Sequence, residues 1–484
     1  MFVWAFLVIV SFWFVHHHWT RRKLYTLAAK IPGPRAYPLI GSAYLFFSFK
    51  DIAQNASKIM EKYGSILKIW MFNALVVVVA KPKHVQIILT KCLEKETRYK
   101  FAKDAFGNSL LTAPVATWRS HRKTINPAFS QQILDSFVDI FVKHSQILVR
   151  KLEEEVDDQK TFDVHEHLSR CSLDIICETA MGTTVDAQTK PSKLLHATRR
   201  GAQILVERCV RLWLHPNITF RLSQRGRELK EVLDYVQGYT GNLVRKRYEE
   251  FHSRIDDNFR DTSRKPFLEH LLSLGDQMTF LELRNEVDLF ITAGSDTVTT
   301  TTGYVLVCLG MYQHIQQEII QEIDEIFGIS TRPITRDDLP KLKYMERVIK
   351  ETMRLYPPVP LIARSVTEDI DLGELILPAG CSVVVGIIGM HRDPETWTDP
   401  LKFDPDRFTS EEAAKRHPYS YIPFSGGPRN CIGIKFSMMA VKVLLATILR
   451  SYKIHTDIKP QDIKLSVEIV SKMIGGANIS ISKR

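Results

Sequence analysis

One helical pattern runs through residues 281–325, and its middle, residues 293–303, is made largely of Gly and Thr. These are poor helix formers. A helix that survives such a stretch is expected to be buried and locally distorted there. The rest of the chain offers helices to bury it. Helical periodicity dominates residues 82–284, for example at 137–156 and 229–251, and returns at 339–355 and 433–452. Residues 66–70 and 74–79 are β-rich and read as a hairpin around Met71, Phe72 and Asn73. Residues 252–265 are charged and read as an exposed loop, and past Pro357 the chain turns to short strands and loops. No internal repeat and no domain linker is visible. The expected class is mainly α with small β-sheets, in one large domain.

Composition narrows the function. With 45% apolar and 25% charged residues in 484, the chain is no disordered tail, collagen-like fibre or coiled-coil rod. The charge is 65 − 54 = +11, spread along the chain rather than gathered in a stripe with interleaved aromatics. That argues against nucleic acid and for anionic lipid heads or an acidic partner protein. The seven cysteines are odd in number and irregularly spaced, with no C-x-x-C, so a disulfide framework is not expected and a reducing compartment is. N-x-S/T sequons stand at Asn55, Asn217 and Asn478. With the body in the cytosol, none carries sugar.

Residues 1–15 are almost wholly apolar, His16 to Trp19 extend the run, and Arg21, Arg22 and Lys23 close it. Fifteen residues of helix span about 22 Å and nineteen about 28 Å, short for a bilayer but enough to anchor. A cleaved leader for secretion would carry its positive charge before the apolar run. Here the charge follows, so the expectation is a transmembrane signal-anchor over residues 1–20 with the body in the cytosol. Three prolines within residues 31–38 then make residues 21–43 a basic, Pro-rich hinge before the catalytic domain, residues 44–484.

No P-loop, strand-linked G-x-G-x-x-G, G-x-S-x-G or H-E-x-x-H motif is present. His165-Glu166-His167 sets its histidines on different sides of a helix, which reads as surface polarity rather than a metal site. The segment from Phe424 to Gly433 differs: it holds Gly426, Gly427, Arg429 and Cys431, and leads into a helix. Glycines let a loop approach a flat ligand closely. Backbone N–H groups, a helix N-terminus and an arginine favour thiolate. A single thiolate on an iron porphyrin suits these demands, while a buried cysteine in a glycine turn is the plain alternative.

This F-x-x-G-x-R-x-C-x-G segment resembles the haem-ligand signature of the cytochrome P450 monooxygenases, and other marks of that family follow in order. Trp118-x-x-x-Arg122 resembles the helix that reaches a haem propionate, and Arg364 stands where an arginine often binds the second. Ala293-Gly294-Ser295-Asp296-Thr297 resembles the oxygen-activation motif. Glu351-x-x-Arg354 and Pro405-Asp406-Arg407-Phe408 resemble the segments that build a structural ion network. Within the family, Trp118 to Lys123, Asn285-Glu286-Val287-Asp288, residues 365–369 and His391-Arg392-Asp393-Pro394 resemble the fatty-acid ω-hydroxylase clan, its insect branch included.

The resemblance implies the P450 fold: a large helical domain around a haem, a long central helix and a small β-rich subdomain. It implies a membrane-bound monooxygenase of the endoplasmic reticulum that inserts one oxygen atom of O2 into a lipophilic substrate. Electrons would come from NADPH through NADPH–cytochrome P450 reductase, with cytochrome b5 as a second donor. Cys431 would ligate the iron of haem b. Trp118, Arg122, Ala293, Gly294, Arg364, Phe424, Arg429 and Gly433 would border the haem, and Asp296 and Thr297 would deliver protons. Many clan members carry, at the place of Ala293, a Glu that can form an ester with the haem, so the haem here is expected to be non-covalent apart from the thiolate. A reductase-independent isomerase or dehydratase and a silent haem-binding protein are the alternatives, and the intact Asp296-Thr297 pair argues against both.

Overall fold

The computed structural model describes residues 2–46, 58–156, 160–255, 266–273, 277–466 and 468–484. The sequon at Asn55 and most of the charged stretch expected as a loop lie outside them, and the first residues of that stretch belong to the helix Gln224–Ile255. The chain divides into two compact units, one of residues 1–97, 361–398 and 417–430, the other of residues 98–360, 399–416 and 431–484.

The first unit is built on a sheet. Strands β1 (Ile66–Met71) and β2 (Ala74–Val79) form the expected hairpin, paired from Ile66↔Val79 to Met71↔Ala74. With β3 (Leu361–Ser365) and β4 (Ser382–Gly386) the order is β1-β2-β4-β3, and the β2–β4 pair is parallel. Its centre is a fully buried set of β-branched side chains, Val77, Val79, Val383 and Val385. The segment expected as a free hinge is seated on β1 instead. Lys68 N–H donates to Pro32 O (2.7 Å), Ser42 N–H to Trp70 O (2.6 Å) and Lys68 Nζ to Ala28 O (2.7 Å). A Cβ on Gly33 would collide with the Lys68 carbonyl.

The N-terminal run is a helix, Phe2–Thr20, followed by Arg22–Ala29. Phe2, Trp4, Val8, Phe12, Val15 and Trp19 are exposed on it. Among the described residues no helix is long and apolar enough to cross a membrane. The expected span is therefore not shown. At about 28 Å, with three histidines near its end, this helix falls short of a bilayer core of about 30 Å.

The second unit is helical. Its central helix, Phe280–Met311, opens with a capping box between Thr279 and Glu282. It packs antiparallel on Val164–Met181: Gly303 faces Leu168, Ser172 and Thr299 share a 2.6 Å hydroxyl bond, and Gly294 lies under Ile176. The Gly- and Thr-rich middle is helix throughout, and Thr292, Ser295, Thr297, Thr301 and Thr302 each donate to the carbonyl four residues back. One expectation is corrected here: the long pattern is broken, at Tyr312, before a second helix, Gln313–Phe327. The carbonyls freed by the break are taken by side-chain amides: Gln313 Nε2 donates to Gly310 O (2.8 Å) and Gln316 Nε2 to Leu309 O (3.1 Å). The amphipathic period runs on through a turn sealed in this way, so the break leaves no mark in the pattern.

Candidate functional site

Cys431 precedes the helix Ile434–Ser451, and the Gly433 N–H donates to its Sγ at 3.3 Å. The residue keeps exposed surface, unlike the other cysteines. Burial pushes the thiol up, opposed by the Gly433 N–H and by the charge of Arg122. Arg122 and the buried Trp118 lie four residues apart on one face of Val115–Ile125. Burial depresses the Arg122 guanidinium, and the sulfur works against that. The other six cysteines are also free thiols; five are buried, acting as small hydrophobes, and Cys209 is half-buried.

The central helix contributes one open strip. Its residues 283, 285–291 and 298–310 are buried, while Thr292, Gly294, Asp296 and Thr297 are half-buried and Ala293 is exposed. Ala293 and Thr297 stand one turn apart, and the Thr297 hydroxyl donates to the Ala293 carbonyl at 2.8 Å. A Cβ on Gly294 would meet Ile176 Cδ1 at 2.7 Å, so a side chain here would make Ile176 shift.

In the first unit, Arg364 on β3 and Arg429 are 1% and 6% exposed. Lys95, which bridges Arg364 in the sheet, is driven well down by burial and then by the charges of Arg364 and Arg429. Two buried arginines beside the half-buried Lys95 suit a ligand that brings carboxylates. Lys95 escapes sequence reasoning: it is one of 65 basic residues, and only the strand pairing puts it beside Arg364. Phe424 is half-buried in the loop leading to the cysteine. Two glycines of that loop are needed for close packing within the protein. A Cβ on Gly426 would meet Tyr419 at 2.8 Å, and one on Gly427, at φ +68°, would collide with the Leu89 carbonyl.

The expected ion network is present. Glu351 and Arg354 are fully buried, bonded through Arg354 Nε–Glu351 Oε2 (2.7 Å) and Arg354 Nη2–Glu351 Oε1 (2.8 Å), and Arg407 Nε lies 3.5 Å from Glu351 Oε1. Arg354 also donates to Pro400 O and Lys402 O, while the Asp404 N–H donates to Glu351, which ties residues 400–404 to the helix Lys343–Leu355. His165-Glu166-His167 is not uniformly surface polarity. Glu166 pairs with Arg170 and Arg199 and His167 with Glu155, but His165 Nε2 is shielded from solvent. No metal-holding cluster of His, Cys, Asp and Glu occurs among the described residues.

These residues fit a haem by their own properties. In the second unit Cys431 keeps exposed surface and the central helix is open at residues 292–294 and 296–297; in the first unit two buried arginines and Lys95 offer a charge that suits carboxylates. Residues of these kinds suit the haem-thiolate class of oxygenases. The family profile described as Cytochrome P450 matches residues 31–475. Cytochrome P450 4V2 of Homo sapiens is 36% identical over 467 residues, 93% of this chain and 89% of that protein. Cytochrome P450 4c21 of Blattella germanica is 36% identical over 470 residues, 94% and 93% of the two chains. Cytochrome P450 4g15 of Drosophila melanogaster is 31% identical over 565 residues, 100% and 97%. The chain belongs to the cytochrome P450 family and is a haem-thiolate monooxygenase.

Proposed function

We propose that Cys431 is the iron ligand and that the protein hydroxylates a lipophilic substrate, a fatty acid, hormone-like lipid or xenobiotic, with electrons from NADPH. The observation that carries this reading is the Cys431 sulfur, which accepts the Gly433 N–H at 3.3 Å on a residue that keeps exposed surface. Haem b, when bound, supplies the reduction of O2 and the insertion of one oxygen atom into a C–H bond. The chain does the rest. The Gly433 N–H and the Arg122 charge stabilise the sulfur as thiolate. Trp118, Arg122, Arg364, Arg429 and Lys95 would hold the propionates. Ala293 leaves room over the ring, while Gly294 lets the central helix pack on Val164–Met181, and Phe424 would border the haem. Thr297 keeps lone pairs for an ordered water while its proton rests on the Ala293 carbonyl, and half-buried Asp296 can reload that water from solvent.

With no flavin or nicotinamide motif in the chain, NADPH–cytochrome P450 reductase is the proposed electron donor, with cytochrome b5 as a second. The exposed aromatic N-terminal helix and the basic residues after it support attachment to the endoplasmic reticulum membrane, body in the cytosol. The test is the reduced, carbon-monoxide difference spectrum. Cys431→Ala should abolish the thiolate Soret band, and Ala at any of the other six cysteines should leave it. A thiolate band surviving in Cys431→Ala overturns the assignment. NADPH oxidation that depends on both reductase and substrate then separates a monooxygenase from an isomerase or a silent binder.

A further inference from the structure

Two motifs that the haem chemistry leaves unused meet in the second unit. His121 lies between Trp118 and Arg122 and is 5% exposed. Its Nδ1 is 2.9 Å from Oε1 of Glu286, which is fully buried on the central helix, and its Nε2 is 3.4 Å from Glu282 Oε1. Both oxygens of Glu286 also accept the Leu110 N–H, at 3.0 and 3.2 Å. The loop carrying Leu110 is pressed onto the same helix. Gly107, at φ +49°, sits so close to the Asn285 amide that a Cβ would collide with it, and the Thr112 hydroxyl bonds back to Gly107 O at 2.6 Å. One carboxylate thus joins three segments: the central helix, the helix bearing Trp118 and Arg122, and residues 107–114.

We propose that His121 is a positioning residue which, as an imidazolium between Glu282 and Glu286, clamps residues 107–114 to the central helix and holds the helix that aims Arg122 at Cys431. An imidazolium donates to both carboxylates at once, whereas a neutral ring donates to one. The titratable groups facing the ring are Glu282 and Glu286 on the central helix. Residues 107–114 contain no titratable side chain, and Arg119, Arg122 and Lys123 flank the ring on its own helix. The Glu286 and Glu282 carboxylates raise the imidazole above its ordinary value against the cost of burial. Burial raises Glu286 against the pull of His121 and Leu110. The clamp is therefore closed while the ring is charged and opens as pH rises through its raised titration. It rests on the proposed function for a substrate at all, and adds that residues 107–114 wall the pocket that holds it.

Hydrogen–deuterium exchange on the full-length, haem-loaded protein tests it, corrected for intrinsic rates across pH 6–9. Protection of the Leu110 amide should step down about tenfold in the wild type as pH rises. In His121→Gln it should be low throughout, with no step. Glu282→Gln keeps an acceptor for the Thr279 cap and should move the step to lower pH, which serves if His121→Gln fails to fold. An unchanged step in either variant overturns the proposal. So does flat protection in the wild type. Spectral titration with lauric acid reads the pocket separately: affinity that weakens through the same pH step supports the wall assignment. Exchange that steps without it leaves the clamp standing and removes the wall.

Discussion

At the scale of single residues, charge and burial oppose each other around the site, and substitutions should reveal each side. Thr297→Ala removes the hydroxyl that rests on the Ala293 carbonyl without touching the packed face of its helix. It should leave haem and substrate binding intact and divert reducing equivalents from product to peroxide, measured as the ratio of product to NADPH consumed. Asp288 shows a cost of burial. Its carboxyl accepts from Thr240 Oγ1 at 2.7 Å and is pushed up from 3.8 to about 6, by burial first. A group raised in the folded state costs nothing while both states are protonated. Its cost grows as pH rises from about 4 to about 6 and stays constant above. That rise is worth about 3 kcal/mol. Asp288→Asn keeps the acceptor for Thr240, so denaturant midpoints should show the variant gaining on wild type from pH 4 to 6 and holding the gain above. An amide N–H beside Arg284, whose Nε is 3.7 Å from the wild-type carboxylate, offsets part of it. Cys431, Asp296 and Thr297 could be singled out in the sequence because their residue types are crowded into a few consecutive positions. Glu286 and His121 were visible only as members of motifs. Their bond spans 165 positions, and no local period encodes it.

Among the elements, the hairpin and the helix Lys343–Leu355 followed from pattern, since period and turn residues are local properties. The stop at Tyr312 did not, because glutamine amides rather than a glycine or proline end that helix. The seating of residues 28–42 on β1 was hidden for a similar reason: backbone carbonyls accept the bonds, and every residue type has one. The ion network is the element-scale device most open to test. Burial raises Glu351, opposed by Arg354, the Asp404 N–H and Arg407. Glu351→Gln would strand two arginines inside the protein, at a cost of about 3–5 kcal/mol. The yield of haem-loaded protein and its thermal midpoint should both fall, whereas Arg347→Ala, which loses an exposed pair with Asp406 and a contact over the Tyr344 ring, should change stability by less, about 1 kcal/mol.

For the whole molecule, two expectations reach beyond any one element. With Ala293, which has no carboxylate, at the place where many relatives of the resembling clan carry Glu, acid–organic extraction should strip the haem completely. Haem running with the denatured chain on chromatography would show a covalent link. Protease added to intact microsomes should digest the body and leave Asn217 and Asn478 without sugar, whereas a protected body would reverse the topology. The mainly helical class was legible because most of the chain is periodic. The division into two units was not, because no linker separates them. The chain passes between them at 97/98, 360/361, 398/399, 416/417 and 430/431, the last crossing falling inside the cysteine loop.

That interleaving constrains how the protein can exchange sequence with its relatives. β1 and β2 lie before the first crossing and β3 and β4 after the second, yet all four form one sheet with a parallel β2–β4 seam. A single recombination point anywhere in residues 98–360 would graft half of that sheet from one parent onto half from another. The seam would then join valines selected against different neighbours. Two points, at 97/98 and 360/361, exchange a continuous block and return the sheet to one parent. Shuffled libraries of this chain with a partner 36% identical should therefore yield their folded members as paired exchanges.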